Sequence, residues 1–247
     1  MLHYHGTPIG GKRADLGEFF PGRHALVPWR RAEDVGAVAA ACRSFCFDNS
    51  AFSAWRSGKP ITDWQPYYAW VDEWRRHPGF DWAIIPDIID GNEEANDELL
   101  GEWPFDVGGV PVWHLHESFE RLERLVVTWP RIALGSSGSF AKIGTPAWWR
   151  RISDAMEVAC DENGNARTKL HGLRMLNPAV YTRIPLASAD STNIAQNSAR
   201  KAMEWQCAVA TARVLEGNRI EMHNSATIWK PLRESKTLCF MGTEQDG

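Results

Sequence analysis

Eight times along this chain a short apolar run stops on a polar residue or a glycine: at 2–5, 25–28, 45–48, 82–87, 110–116, 131–135, 170–175 and 186–190. Between several of the runs lie stretches with apolar residues three and four apart: "AEDVGAVAAACRS", "PYYAWVDEWRRH", "ANDELLGEW", "SFERLERLVVTW" and "PAWWRRISDAMEVACDE". That spacing gives a helix one buried face. Strand then helix, repeated, predicts parallel strands joined by helical crossovers. Eight such units predict a closed (β/α)8 barrel, an α/β fold that typically takes about 250 residues. The 247 residues therefore fit one barrel domain over 1–247, with a last helix at about 198–216 closing the ring.

A barrel turns position into expectation, because the C-terminal ends of its strands face the active site. Those ends are His5, Asp48, Asp87, His114 and His116, Gly135, His171 and Asp190. Ionisable groups gather where chemistry is expected.

Charge narrows the partners. A net charge of −4 argues against a protein that coats nucleic acid without selectivity. The distribution is uneven: 87–106 holds eight acids and no Lys or Arg, whereas 142–213 holds ten basic residues against six acidic ones. The second segment is where a polyanion is expected. Five cysteines, at 42, 46, 160, 207 and 239, form no C-x-x-C pair, so neither a zinc knuckle nor a disulfide framework is indicated. The start "MLHYHGTPIGG" has no leader character and no apolar run reaches membrane-spanning length. The expectation is a cytoplasmic protein with reduced thiols and no membrane partner. Thirteen tryptophans serve a core or line a cleft for sugars or bases.

Each candidate has an ordinary reading beside the functional one. Asp48 in "FDNSAF" and Asp87 in "IIPDIIDG" suit turns, and Asp190 in "SADSTN" suits a helix cap. "HYH" at 3–5 and "HLH" at 114–116 each put two imidazoles on one strand face. Those pairs, with His171 and a late aspartate, offer a metal-dependent barrel hydrolase as an alternative. A glycoside hydrolase accounts for Asp48 and Asp190 and leaves Asp87 and Phe52 without work. A barrel that only binds a nucleobase or nucleic acid is the non-enzymatic alternative. The small residues of "ALGSSG" leave backbone that a ligand can approach closely.

Taken together, "DNSAF", "IPDIID", "ALGSSG" and "HGLRMLNP…ASADST" resemble, in order and spacing over 2–193, the tRNA-guanine transglycosylase superfamily. Within it the chain is most similar to the phage and bacterial DNA 7-deazaguanine transglycosylases. The resemblance implies exchange of guanine in DNA for a 7-deazaguanine base such as 7-cyano-7-deazaguanine, without a cofactor or metal. Asn49-Ser50-Ala51 replaces the family's Ser-Gly-Gly, and His114 and His116 stand where the tRNA enzymes place a glutamine. The cysteine-rich zinc subdomain of the tRNA enzymes has no counterpart here, which favours DNA over tRNA. A phage-encoded copy would work in the host cytoplasm.

The same resemblance implies roles. Asp190 is the nucleophile toward C1′ and Asp48 moves protons. Asp87 accepts from the adjacent N1–H and 2-amino donors of guanine. Gly135, with His116 and His171 nearby, serves the base carbonyl, and Phe52 stacks on the ring. Arg174, Arg183, Arg200 and Lys201, from the basic later segment, are the expected contacts to the nucleic-acid backbone.

Overall fold

The computed structural model describes residues 1–7, 13–106 and 108–192. The expected helix at 198–216, Arg200, Lys201, Cys207 and Cys239 lie outside the described residues. Among the described residues nine strands are formed: β1 (Leu2–Gly6), β2 (His24–Pro28), β3 (Ser44–Asp48), β4 (Phe80–Ile84), β5 (Gly109–Val110), β6 (Val112–His114), β7 (Arg131–Gly135), β8 (Lys169–Gly172) and β9 (Leu186–Ser191). All pair in parallel, in the order β5-β4-β3-β2-β1-β9-β8-β7-β6.

The two edge strands of that order are consecutive in sequence, separated only by Pro111. Proline has no N–H to give a ladder, so the single run expected at 110–116 is two strands. β5 pairs with β4 and β6 with β7, and the Pro111 carbonyl still accepts from the Ala133 amide at 2.8 Å. One broken strand thus brings the sheet almost full circle.

Helices fill the connections: α1 (Arg13–Phe19), α2 (Val35–Ala41), α3 (Ala51–Arg56), α4 (Gln65–Trp74), α5 (Glu93–Gly101), α6 (Phe119–Thr128), α7 (Pro146–Ala159) and α8 (Pro178–Tyr181). Three of these, α2, α6 and α7, fall within the expected stretches, and α4 and α5 overlap theirs but start one and two residues earlier. Their starts follow capping chemistry: Asn92, Ser118 and Thr145 side chains accept from the amides of Ala95, Arg121 and Trp148. Two apolar clusters pack the helices onto the outer sheet face, one around Trp113, Trp148 and Ile152, the other around Phe47, Tyr67 and Val71. A third, of Tyr4, Leu26, Cys46, Trp82, Ile84, Val110, Val112 and Ala133, fills the lumen. Cys42, Cys46 and Cys160 are free thiols. Among the described residues no helix is long and apolar enough to cross a membrane.

Strand alternation settles the first histidine pair. Tyr4 belongs to the lumen cluster, so its neighbours point outward. The His5 ring meets Phe19 of α1 edge-on at 5.2 Å, and His3 lies 5.6 Å from the Tyr181 ring of α8. These two histidines therefore cannot share a lumen site with His114, which corrects the hydrolase alternative built on both pairs.

Candidate active site

At the C-terminal mouth of the barrel is a cavity of about 270 Å³. Asp48, Asp87 and Asp190 all line it, with Asn49, Phe52, Arg56, His114, Gly135, Ser136, Leu173 and Arg174 among the other walls. Asp48 ends β3 and Asp190 lies in β9, whereas Asp87 sits three residues past β4. Three sequence-distant carboxylates share one small space.

Each is held differently. Asp87, 8% exposed, receives Asn49 Nδ2 on Oδ1 at 2.7 Å. His114 Nε2 stands 2.9 Å from its Oδ2, off the line of a straight hydrogen bond. Asn49 is itself fixed: its Nδ2 also reaches the Ile85 carbonyl at 2.9 Å, and its Oδ1 accepts from the Ala51 amide at 2.8 Å. The sequence motif names Asn49 only as a replacement; its partner Asp87 lies 38 residues away, so no local signal announces the pairing.

Asp190 Oδ1 accepts from the Arg174 amide at 2.8 Å and lies 3.4 Å from His171 Nε2. Asp48 lines the same pocket and is partly exposed. Burial raises its carboxyl to about 7, and the charges of Asp190 and Asp87 push the same way, against the Ser50 amide and Arg174. Among the described residues, no Lys or Arg side chain forms an ion pair with any of the three.

Strain marks both sides of the pocket. Ser50 and Arg174 are the two non-glycine residues described with left-handed backbone, φ 64° and 59°. Such conformations cost of order 1 kcal/mol and collect at functional sites. Ser50 follows Asp48 by two residues and lets the chain turn from β3 into α3. Arg174 uses the turn to aim its amide at Asp190 while its guanidinium reaches the Ser136 carbonyl at 3.2 Å and lies 4.1 Å over the Phe52 ring. Gly135 is required by close packing: a Cβ there would stand 3.0 Å from His114 Nδ1 and 3.0 Å from Val112 Cγ1.

No family model matches the chain, and no curated protein matches it. Two mutant forms of the tryptophan synthase alpha-subunit from the hyperthermophile Pyrococcus furiosus are similar in structure, each with a TM-score of 0.52. One is 10% identical, over 87% of this chain and 97% of that one; the other is 12% identical, over 88% and 97%. At such identity the likeness is one of fold alone. The chain folds as a TIM-type barrel.

That fold explains which expected site residues meet and which do not. Asp48, Asp87, Asp190, Phe52, Gly135 and Arg174 come together at the mouth. His116 does not. β6 ends at His114, the Glu117 amide turns back onto the His114 carbonyl at 2.9 Å, and His116 leaves the sheet. It is exposed, bonded to Ser137 Oγ at 2.7 Å and to the Gly91 carbonyl at 3.2 Å. His114, stacked beneath it, is the wall residue instead.

His171 is also displaced from its expected role. It faces the lumen, in register with Ala133 and Ser188, and is wholly buried below the pocket. Alternation gives its face correctly; its depth puts it out of reach of a base. Arg183 is exposed and packs over Trp149 of α7, away from the cavity lining. Arg56, Leu173 and Asn49 are among the wall residues that sequence reasoning missed. Among the described residues no three His, Cys, Asp or Glu side chains are gathered as metal ligands.

Proposed function

We propose that the chain is a base-exchange transglycosylase that replaces guanine in DNA with a 7-deazaguanine through a covalent aspartyl–sugar intermediate. The observation that supports it most is the division of environments among the three carboxylates. Asp48 has its ordinary value lifted to about 7, suited to an acid–base group working near neutrality. Asp190 is fixed through one oxygen by a backbone amide. Asp87 is steadied from the side by Asn49 and keeps lone pairs for a ligand.

In this reading an Asp190 oxygen attacks C1′ of the nucleotide. The C1′–N9 bond breaks, its electron pair going to the base, and neutral Asp48 gives that base its proton. The arriving 7-deazaguanine returns a proton to Asp48 as its N9 attacks C1′, releasing the Asp190 carboxylate. Asp87 accepts from N1–H and the 2-amino group of either base. Phe52 and Leu173 supply the apolar walls. The cavity of about 270 Å³ lies just under the range of drug-sized sites, roughly 300–1,000 Å³. It suits one base, so the target nucleotide leaves its stack and the rest of the strand stays outside. Arg56 and Arg174 are then the cations at the pocket placed to meet the flanking phosphates.

The test offers labelled guanine and 7-cyano-7-deazaguanine with a DNA oligonucleotide and, separately, tRNA. Incorporation into DNA is expected. Incorporation into tRNA alone, or release of base without replacement, contradicts the reading.

A further inference from the structure

His171 has no place in the chemistry above, yet it is wholly buried and sits between two polar groups. Its Nδ1 is 2.9 Å from Ser188 Oγ, and its Nε2 is 3.4 Å from Asp190 Oδ1. Ser188 Oγ in turn receives Arg131 Nη1 at 2.9 Å. Ring edges also face the imidazole, Trp82 at 4.7 Å and Tyr4 at 6.0 Å between centroids, and the Tyr4 hydroxyl is committed to Asp81 at 2.7 Å.

The direction of each bond follows from the donor inventory. Arginine only donates, so Ser188 Oγ accepts from Arg131. The serine hydroxyl then has one hydrogen to place, and the lone pair of His171 Nδ1 lies in reach. That leaves the neutral imidazole its proton on Nε2, facing the Asp190 carboxylate. The opposite tautomer strands the serine hydrogen and sets a nitrogen lone pair against a carboxylate oxygen, an electrostatically unfavourable arrangement in a buried site. Burial keeps the ring neutral by lowering its basicity, although Asp190 acts to raise it.

We propose that Arg131, Ser188 and His171 are positioning residues that fix one oxygen of Asp190 from inside the barrel. The Arg174 amide donates to Oδ1 at 2.8 Å from the β8–α8 turn, while His171 Nε2, 3.4 Å from the same oxygen and outside hydrogen-bond geometry, turns its N–H dipole toward it from the lumen, so that Oδ2 is left for the sugar. The role in catalysis rests on Asp190 being the nucleophile; the proton arrangement does not. It also assigns work to a serine and an arginine on the strands below the mouth, where a barrel usually keeps stability residues.

Neutron diffraction from perdeuterated wild-type crystals reads the His171 proton directly, with no variant. Deuterium on Nε2 and none on Nδ1 is the expected result; the reverse overturns the relay. A second arm compares Ser188→Ala with Ser188→Thr, which restores the hydroxyl. Ser188→Ala is expected to mix the His171 tautomers in nitrogen-resolved NMR of histidine-labelled protein. It should also slow formation of the covalent adduct by about 10- to 100-fold, the scale of an ångström's misplacement, with KM for the base unchanged and recovery in Ser188→Thr. An unchanged adduct rate in a Ser188→Ala protein with mixed tautomers removes the positioning role while Asp190 remains the nucleophile. Absence of any adduct in the wild type overturns the nucleophile reading and, with it, the catalytic role of the relay.

Discussion

Two groups of carboxylates lie in this barrel, and only one is neutralised by guanidinium groups. Behind β6, Glu117 is 3% exposed and Arg121 is 1% exposed, joined at 2.7 Å. Arg121 also reaches Asp97 at 2.8 Å and the Val112 carbonyl at 2.9 Å, while Glu117 accepts from Asn96 Nδ2 at 3.0 Å and from the His114 amide at 2.8 Å. Every acid there has a guanidinium. At the mouth, Asp48, Asp87 and Asp190 share a cavity with no guanidinium paired to any of them. Burying charge is tolerable when it is paired and hydrogen-bonded. Leaving three carboxylates unpaired costs stability, and the cost appears as the raised Asp48 value. The first network is held by guanidinium pairs; the second leaves its carboxylates without one.

The contrast breaks most sharply at Asp48. Asp48→Asn is expected to slow base exchange about 10²–10⁴-fold, the usual span for acid–base catalysis. Stability should move the other way. A carboxyl whose folded value, about 7, exceeds its unfolded value, about 3.9, binds protons more tightly in the folded state. Its contribution is complete below about pH 4 and is lost as pH rises through about 7. The Asn variant should therefore melt above wild type at pH 8, with the gap closing toward pH 4. Thermal melts across that range check this; an Asn variant that melts lower at pH 8 would place Asp48 in a stabilising contact.

The paired network should respond in the opposite sense. Arg121→Met strands Glu117 and is expected to cost about 3–5 kcal/mol, a fall of roughly 6–20 °C in Tm at 2–4 °C per kcal/mol. Calorimetry reads it. A fall of only a degree or two would mean that Glu117 is satisfied by its neutral donors alone.

Asn49 joins the two behaviours, being a structural residue that steadies one pocket carboxylate, Asp87. A hydrogen bond to a charged group is worth about 1.5–3 kcal/mol. Asn49→Ala should raise KM for the base roughly 10- to 100-fold and leave the rate of adduct formation at saturating DNA little changed. Steady-state titration of the base separates the two effects.

The smallest effect is expected at Arg174→Gly, which relaxes the left-handed backbone and keeps the amide donated to Asp190. Adduct chemistry should persist. DNA affinity should weaken alike for all sequences, and the slope of log affinity against log salt should fall by about 1. An unchanged slope takes the guanidinium off the phosphates.

How much of this was legible follows from what each signal encodes. Apolar runs ending on polar residues mark strands and their ends, so Asp48, Asp87, Gly135 and Asp190 were placed at the mouth from sequence. Alternation puts His3 and His5 on one face without saying which; with Tyr4 in the lumen both turn outward, so His5, expected at the mouth, is not there. Depth is not encoded in that pattern: His171 and Asp190 both face inward, but only the second reaches the pocket. Strand ends near tight turns are equally opaque, which is why His116 was set in the site that His114 occupies. Pro111 could have been read as a break in its strand. The pairing of Asn49 with Asp87, and of Glu117 with Arg121 and Asn96, depends on which connections of the ring meet in space.

The central claim is that Asp190, of the three unpaired carboxylates, forms the bond to the sugar. Wild-type protein and Asp190→Asn, each incubated with a guanine-containing oligonucleotide, are run on a denaturing gel, and the modified peptide is mapped. The expected result is an adduct on the peptide carrying Asp190 in the wild type, and none in Asp190→Asn at an unchanged melting temperature, because an amide is a poor nucleophile toward a sugar carbon. An adduct that survives in Asp190→Asn, or that maps to Asp48 or Asp87, contradicts the account.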